Sequence, residues 1–495
     1  MRMPRLVTFR SMSVLLAVCA AAVASGCKKG GDAPAPALSQ TLQPTQAWLD
    51  GALPPEVHQG ASVRGGTLTV RLATEPAMLN RLHDAGQDGW MVRTFFGSVF
   101  ETLLTLDRDS APAYGLKPLL AESYAISEDG LTATFKLRKD VRFHDGSAFT
   151  SEDVRAVVEA VLDPEHPTHA MRSSLAELAS VATPDPHTVV LRWKRPNHPG
   201  LRSFALAFPM VPSEALAGDF DALAINRAPV GTGPFKFESW ETGRALSIVR
   251  NDAYWGRAAW LDRVVFRIVK DNAVATQLLE RGEIDLMTGV LPMVWRELEK
   301  PNPENAWAVR DYNRIRFTEN GYDWIGWNEE RPYFADPRVR RALGHLIPLE
   351  ALRRSIYLDL QRITTCPYFL DGPSCDPQIQ PLRRDPQRAK ALLAEAGWTD
   401  RDGDGVLEKN GTPMRFTFLV FAHSVNLARL APLLQEEFRR AGIDLEIERV
   451  EWSVFLERLR KHDFDMVSLA WSTLDVEGDI YGAFHSSQRH GGENY

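Results

Sequence analysis

Val141-Arg142-Phe143-His144-Asp145-Gly146-Ser147-Ala148-Phe149-Thr150-Ser151-Glu152-Asp153-Val154 packs a strand end, a turn and a helix start into one short stretch. His144-Asp145-Gly146 reads as the turn. Thr150, with Asp153 three residues on, makes a capping-box-like start, since each side chain can satisfy a backbone N–H that the first helical turn leaves open. Val154, Val157, Val158 and Val161 then fall on one helical face. Outward from this stretch, Leu131 to Leu137 alternates as a half-buried strand, as do Thr188 to Trp193 and Thr67 to Leu72. Asp336-Pro337 sets a cap and a first-turn proline before a helix with the stripe Val339, Ala342, Leu343 and Leu346. Asp385-Pro386 repeats the device, with Leu392 and Leu393 inside and Gly397 at the stop. Strands and helices mix along the chain, which predicts an α/β architecture of several layers.

The chain has 495 residues, 44% hydrophobic and 24% charged, enough to bury a large core and divide into two or three domains. A net charge of -7 and a pI near 6.0 argue against a nucleic-acid partner. Arg2, Arg5 and Arg10 form a basic n-region, and Val14 to Val23 an apolar run too short to span a membrane. Residues 1–26 therefore read as an export signal. Val23-Ala24-Ser25-Gly26-Cys27 resembles a bacterial lipobox, with Ala24 where Leu is commoner, and implies cleavage before Cys27 and lipid on its sulfur. Residues 27–62, rich in Ala, Pro, Gly and Gln, read as a lipid-anchored flexible linker with a reach of roughly 30 Å. Folded sequence starts near 64. Of four cysteines, Cys19 leaves with the signal and Cys27 carries lipid, so Cys366 and Cys375 are expected to bridge in an oxidising compartment. A bridge over so short a loop contributes about 2 to 3 kcal/mol on the loop-entropy account.

Several segments in fixed order resemble one family, the extracytoplasmic solute-binding proteins of the peptide/nickel type, family 5, which deliver ligand to ABC importers. They are the 141–154 stretch, Pro229-Val230-Gly231-Thr232-Gly233-Pro234-Phe235, Arg250-Asn251-Asp252-Ala253-Tyr254-Trp255, Gly282-Glu283-Ile284-Asp285, Asp336 to Leu343, and the Asp385 to Trp398 helix. The resemblance implies a two-lobed periplasmic-binding-protein fold of type II, with an extra subdomain in lobe I. Lobe I is then 64–96 with 228–304, the inserted subdomain 97–227, and lobe II 305–495. Family members usually continue beyond the point where this chain stops, so lobe II is expected to be truncated at its C-terminus. The implied partners are a small solute, most readily an oligopeptide or dipeptide, and the permease subunits. The membrane is expected to be reached through the lipid, with the protein in the periplasm and acting as a monomer. Nickel chelates, oligosaccharides and opines remain open as ligands.

A binding protein needs a cleft that closes, excludes water and satisfies a polar ligand. In Trp471-Ser472-Thr473-Leu474-Asp475, the Asp following a Trp matches the position at which peptide-binding relatives pair the ligand's amino terminus, with spacing one residue longer; Asp479 is the substitute. Tyr322-Asp323-Trp324-Ile325-Gly326-Trp327-Asn328 reads as a strand near the interlobe cleft. Alternation sets Tyr322, Trp324 and Gly326 on one face and Trp327 on the other, so Trp324 and Asn328 are ligand candidates beside a core reading, with Tyr333 nearby. Glu75 and Asn80 follow the first strand at a position the family places by the cleft, where a structural turn is equally open.

Asp400-Arg401-Asp402-Gly403-Asp404-Gly405 imitates a calcium loop, but its twelfth position is Gly411 where a bidentate Glu is required, and a strand follows instead of a helix. It reads as an exposed turn, and neither a metal nor another cofactor is expected. There is no Gly-x-Ser-x-Gly elbow, His-Glu-x-x-His or Walker loop, so the ATPase is a separate chain and a binding protein is favoured over the alternative, a lipoprotein hydrolase. If Cys27 is the acylation point, Cys27→Ser abolishes metabolic labelling with palmitate. Unchanged labelling would remove the lipobox reading.

Overall fold

The computed structural model describes residues 5–7, 64–86, 97–107, 110, 115–299, 312–314, 321–372, 374–422, 424–472, 480–489 and 494. Cys27, the linker to residue 62, Asp475 and Asp479 lie outside the described residues. The chain divides into two compact units, Met1–Glu319 with Leu474–Gly482, and Asn320–Thr473 with Ala483–Tyr495. The sequence reading starts the second lobe at 305. Packing starts it at Asn320, because Tyr312–Arg314 pairs as a strand within the first unit's large sheet.

That sheet has seven strands in the order Tyr312–Arg314, Arg5–Val7, Leu286–Met287, Thr67–Leu72, Arg263–Ile268, Ala245–Arg250 and Phe235–Glu241. Arg5–Val7 comes from the segment read as the export signal. Thr67–Leu72 runs parallel to Arg263–Ile268, with Val70 opposite Phe266, and the last three strands form an antiparallel meander. A second, antiparallel sheet orders Ala121–Ile126, Thr132–Leu137, Thr188–Trp193 and Leu178–Asp185. Against it lies the Ser151–Leu162 helix, started by the predicted capping box, with Val154, Val157, Val158 and Val161 all buried. One hydrophobic cluster runs from Val70 and Phe266 through Phe135 and Phe204 to these valines. The inserted segment therefore shares its core with the large sheet.

The second unit is built on a four-stranded sheet ordered Gly321–Trp327, Met466–Ser472, Arg415–Phe421 and Asp444–Val450. The first pair is antiparallel and the last parallel. Phe416, Phe418 and Val420 enter a core with the Pro337–Leu346, Pro386–Glu395 and Val425–Arg440 helices, while Leu419 enters another with Phe455 and Leu459 of the Trp452–Arg460 helix. A strand covered on both faces loses its polar alternation, which is why 416–421 is almost continuously apolar. Asp336 and Asp385 accept the N–H groups of Arg338 and Arg388 as the predicted caps, each ahead of a proline. Gly397 takes a φ of +90°, as a helix stop requires.

Three of the segments that carry the resemblance in the first unit, 141–154, 229–235 and 250–255, meet in a single buried network, while Asp285 of the fourth pairs with Thr69 instead. Gly233 N–H donates to Val99 O at 3.0 Å and Phe235 N–H to Ser98 O at 2.8 Å. A Cβ on Gly231 would lie 2.0 Å from Val99 O and one on Gly233 2.3 Å from Ser98 O, so no side chain fits at either position. His144 Nδ1 accepts from Gly231 N–H at 3.2 Å and its Nε2 lies 3.0 Å from Gly233 O, which fixes a neutral ring protonated at Nε2. Glu101, 3% exposed, accepts from Thr232 Oγ1 at 2.9 Å, Tyr254 OH at 2.6 Å and Trp255 Nε1 at 2.9 Å. Burial pushes its carboxyl pKa up, against those three hydrogen bonds and the positive charge of Arg138, which lies over the Trp255 ring.

Burial lowers the His144 pKa from 6.5 to about 4; the Gly233 carbonyl and Asp145 oppose that shift and Lys236 adds to it. A folded-state value below the unfolded one means this contribution is complete above about pH 6.5 and is lost as pH falls through 4. Between pH 7 and pH 5 the protein should lose about 2 kcal/mol from this group. Urea midpoints measured at both pH values should fall more steeply for the wild type than for His144→Gln, which cannot titrate. Equal slopes would show that His144 is not neutral in the fold.

Candidate functional site

Two of the predicted ligand residues are brought together in the second unit. In the Gly321–Trp327 and Met466–Ser472 pairing, Tyr322 stands opposite Trp471 and Trp324 opposite Leu469. Trp324 and Trp471 stack with ring centroids 6.0 Å apart and planes 17° apart. Gly326 makes this possible: a Cβ there would lie 2.5 Å from Trp324 Cζ3, so only glycine lets the indole lie back along its own strand. The expected alternation is present, with Trp324 packed against the Phe455 and Leu459 core and Trp327 against the opposite one. Both rings remain partly exposed, as does Tyr322, whose phenol pKa is pushed up to about 12 by burial. The arrangement offers a flat, largely apolar surface with a phenol at its side, suited to packing an apolar or aromatic group. Sequence alternation reveals the shared face of Tyr322 and Trp324; the register that adds Trp471 comes only from strand pairing.

Other predicted residues are engaged by their own surroundings. Asn328 is 2% exposed; its Nδ2 donates to His462 O at 3.0 Å and Phe464 O at 3.1 Å, and its Oδ1 accepts from Glu330 N–H at 3.0 Å. Every hydrogen-bonding direction but one lone pair is thus used, the two donors joining the strand end to the 462–464 turn and the oxygen closing the local turn at Glu330. Glu75 accepts from Trp240 Nε1 at 2.8 Å and from Gly243 N–H at 2.9 and 3.1 Å, pinning the turn after the first strand to the 235–250 hairpin. Arg227 covers the same indole at 3.5 Å. Asn80 is buried, donating to Asn226 Oδ1 at 2.9 Å and accepting from Leu82 N–H at 3.0 Å. Tyr333 is core, among Phe334, Trp398 and Phe416. Cys366 and Cys375 are joined by a disulfide.

Among the described residues, one set of carboxylates is grouped closely enough to consider for a metal: Asp400, Asp402 and Glu408 each bring an oxygen within 4.8 Å of the others. Glu408 is the member the calcium-loop register did not consider. Asp400 accepts from Gly403 and Gly405 N–H, Asp402 from Asp404 N–H and Glu408 from Arg401 N–H. These bonds are those of a self-supporting acidic turn. Replacing Asn328 by Ala should lower stability by about 1 to 3 kcal/mol, because the His462 carbonyl and the Glu330 N–H lose this bond and the Phe464 carbonyl is left with Arg331 Nε alone of its two side-chain donors. A shift of a few tenths of a kcal/mol in urea denaturation would instead mark Asn328 as a side chain free to serve a ligand.

Comparison with known proteins agrees with this architecture. The oligopeptide-binding protein AppA of Bacillus subtilis (strain 168) is 30% identical over 450 residues, covering 88% of this chain and 79% of that protein. Its structure in complex with a nonapeptide superposes with a TM-score of 0.72 at 27% identity, covering 88% of this chain and 84% of that one. The nickel-binding periplasmic protein of Escherichia coli is 28% identical over 375 residues, covering 74% of this chain and 69% of that protein. The fold is shared as well by NikZ from Campylobacter jejuni, solved with Ni(L-His), at a TM-score of 0.73 and 24% identity over 86% of this chain and 83% of that one. Residues 115–491 match the family described as bacterial extracellular solute-binding proteins, family 5 Middle. With that match spanning most of the folded sequence and two-lobed relatives on both the peptide and the nickel side, this chain belongs to the family 5 bacterial extracellular solute-binding proteins.

Proposed function

We propose that this protein captures an oligopeptide or dipeptide outside the cytoplasm, closes its two lobes on it, and delivers it to the membrane subunits of an ABC importer. The observation that carries the peptide reading is the likeness to the peptide-binding AppA, which holds in both sequence and structure over 88% of this chain. The aromatic surface of Trp324, Trp471 and Tyr322 supports it, because a peptide's side chains supply the apolar area such a surface packs against. Asp475, a few residues beyond Trp471, is proposed to pair with the ligand's free amine, with Asp479 as the substitute. Glu75, Asn80 and Asn328 rank below them, their polar atoms being engaged within the fold. Attachment to a bacterial membrane through lipid on Cys27, and action as a monomer, complete the proposal. A nickel chelate is the second reading, favoured by the nickel-binding relative.

Native mass spectrometry of the protein as purified identifies the ligand class: peptide masses support the proposal, and a metal chelate moves it to the second reading. With the identified peptide, calorimetry on Asp475→Asn should show affinity weaker by about 30-fold to several thousand-fold, the equivalent of 2 to 5 kcal/mol for an ammonium left buried without its counter-ion. Wild-type affinity in a variant that melts normally would displace the anchor from Asp475.

A further inference from the structure

Asn410 and Gly411 form the tip of a hairpin whose strands, Glu408–Lys409 and Thr412–Pro413, are two residues each. Asn410 has a φ of +54° and Gly411 of +77°, the pair of left-handed conformations that a two-residue turn of this hand requires and that Asn-Gly adopts most readily. Turn geometry therefore explains the choice of residues. It also sets up a reaction. The Asn410 side chain is exposed and makes no hydrogen bond among the described residues, and a Cβ on Gly411 would meet nothing within 4 Å. No side chain at 411 shields the peptide nitrogen that follows the amide.

We propose that Asn410 is a site of spontaneous covalent conversion, in which the peptide nitrogen of Gly411 attacks Asn410 Cγ and the chain becomes aspartyl and isoaspartyl at this position. The new bond is Gly411 N to Asn410 Cγ. The bond broken is Cγ to Nδ2, which departs as ammonia carrying the proton lost from the Gly411 nitrogen. Water then opens the resulting succinimide at either carbonyl, giving aspartate or isoaspartate; no oxidant, reductant or cofactor enters.

A folded turn protects an Asn-Gly pair only while it holds the amide away from the next nitrogen. This hairpin is a weak restraint, since two residue pairs cannot sustain an isolated ribbon, and short exposed hairpins open locally far more easily than a core. The product places one more negative charge beside the acidic Asp400 to Glu408 turn. Its isoaspartyl form also lengthens the main chain by one carbon in a two-residue loop. That change reaches the junction at which Glu408 pairs with Thr399 and Leu407 N–H donates to Gly442 O at 2.8 Å.

The test incubates the full-length protein at neutral pH and body temperature. Peptide mapping follows the gain of about one mass unit at residue 410 and, separately, at the other Asn-Gly pair, Asn320-Gly321. A protein-isoaspartyl methyltransferase reports the isoaspartyl product by methyl transfer. The expected result is conversion at Asn410 within about tenfold of the rate in a free peptide of residues 406–414, as a locally opening turn allows. Asn410→Gly, which keeps the left-handed turn and removes the reacting amide, should abolish the signal at this position. Conversion slower than the free peptide by about a hundredfold or more, or conversion confined to Asn320, would overturn the proposal.

Discussion

The buried carboxylate of Glu101 imposes the constraint on which the first unit depends. A carboxylate removed from water is tolerated only where donors replace its hydration, and here three donors come from two separate stretches of chain: Thr232, and the adjacent Tyr254 and Trp255. The tripeptide around Thr232 is also gripped from the other side by His144, whose ring reads both the N–H of Gly231 and the carbonyl of Gly233. Neither glycine can carry a side chain, because each backbone lies against the carbonyls of Val99 or Ser98. The motifs at 141–154, 229–235 and 250–255 are thus parts of one joint, and their apparent scatter along the sequence is the scatter of the elements it ties together.

The joint matters for function through rigidity. It ties the inserted segment to the large sheet, whose apolar residues share one hydrophobic cluster with it. A binding protein that works by moving lobes needs rigid lobes, because ligand energy spent deforming a lobe is lost to affinity. In the second unit the same end is reached differently. Its sheet is covered on both faces by helices, and the aromatic pair Trp324 and Trp471 rests on one of those cores with its outer surface still open. The candidate ligand surface is therefore preorganised by packing, with Gly326 removing the side chain that would hold the Trp324 ring away.

Several polar residues that are attractive from their position in the sequence turn out to be committed to the fold. Asn328, Asn80 and Glu75 each use their side chain as a bolt between segments distant in sequence. The sequence signal for such a bolt is the same as for a ligand contact: a polar residue at the end of an apolar strand. What separates them is whether the partners are supplied by the chain itself, and that depends on which loops fold back. The acidic turn at 400–408 shows the same ambiguity, its carboxylates being occupied by the N–H groups of their own loop.

Local chemistry was legible in the sequence wherever one short segment contains both partners. The capping box at Thr150, the caps and prolines at Asp336 and Asp385, the valine stripe, the strand alternation and the Cys366–Cys375 bridge all follow from neighbours a few residues apart. The order of motifs was enough to name the family, because a scaffold is recognised by its joints even when their partners are unknown. Tertiary structure alone decided that Glu101 meets Tyr254 and Trp255, that Trp471 stacks on Trp324, that 312–314 stays with the first unit's sheet, and that Glu75 belongs to a hairpin. These are pairings across more than a hundred residues in most cases. Local propensity carries no information about them, since strand register and loop return are fixed only when the apolar faces of the whole unit are buried together.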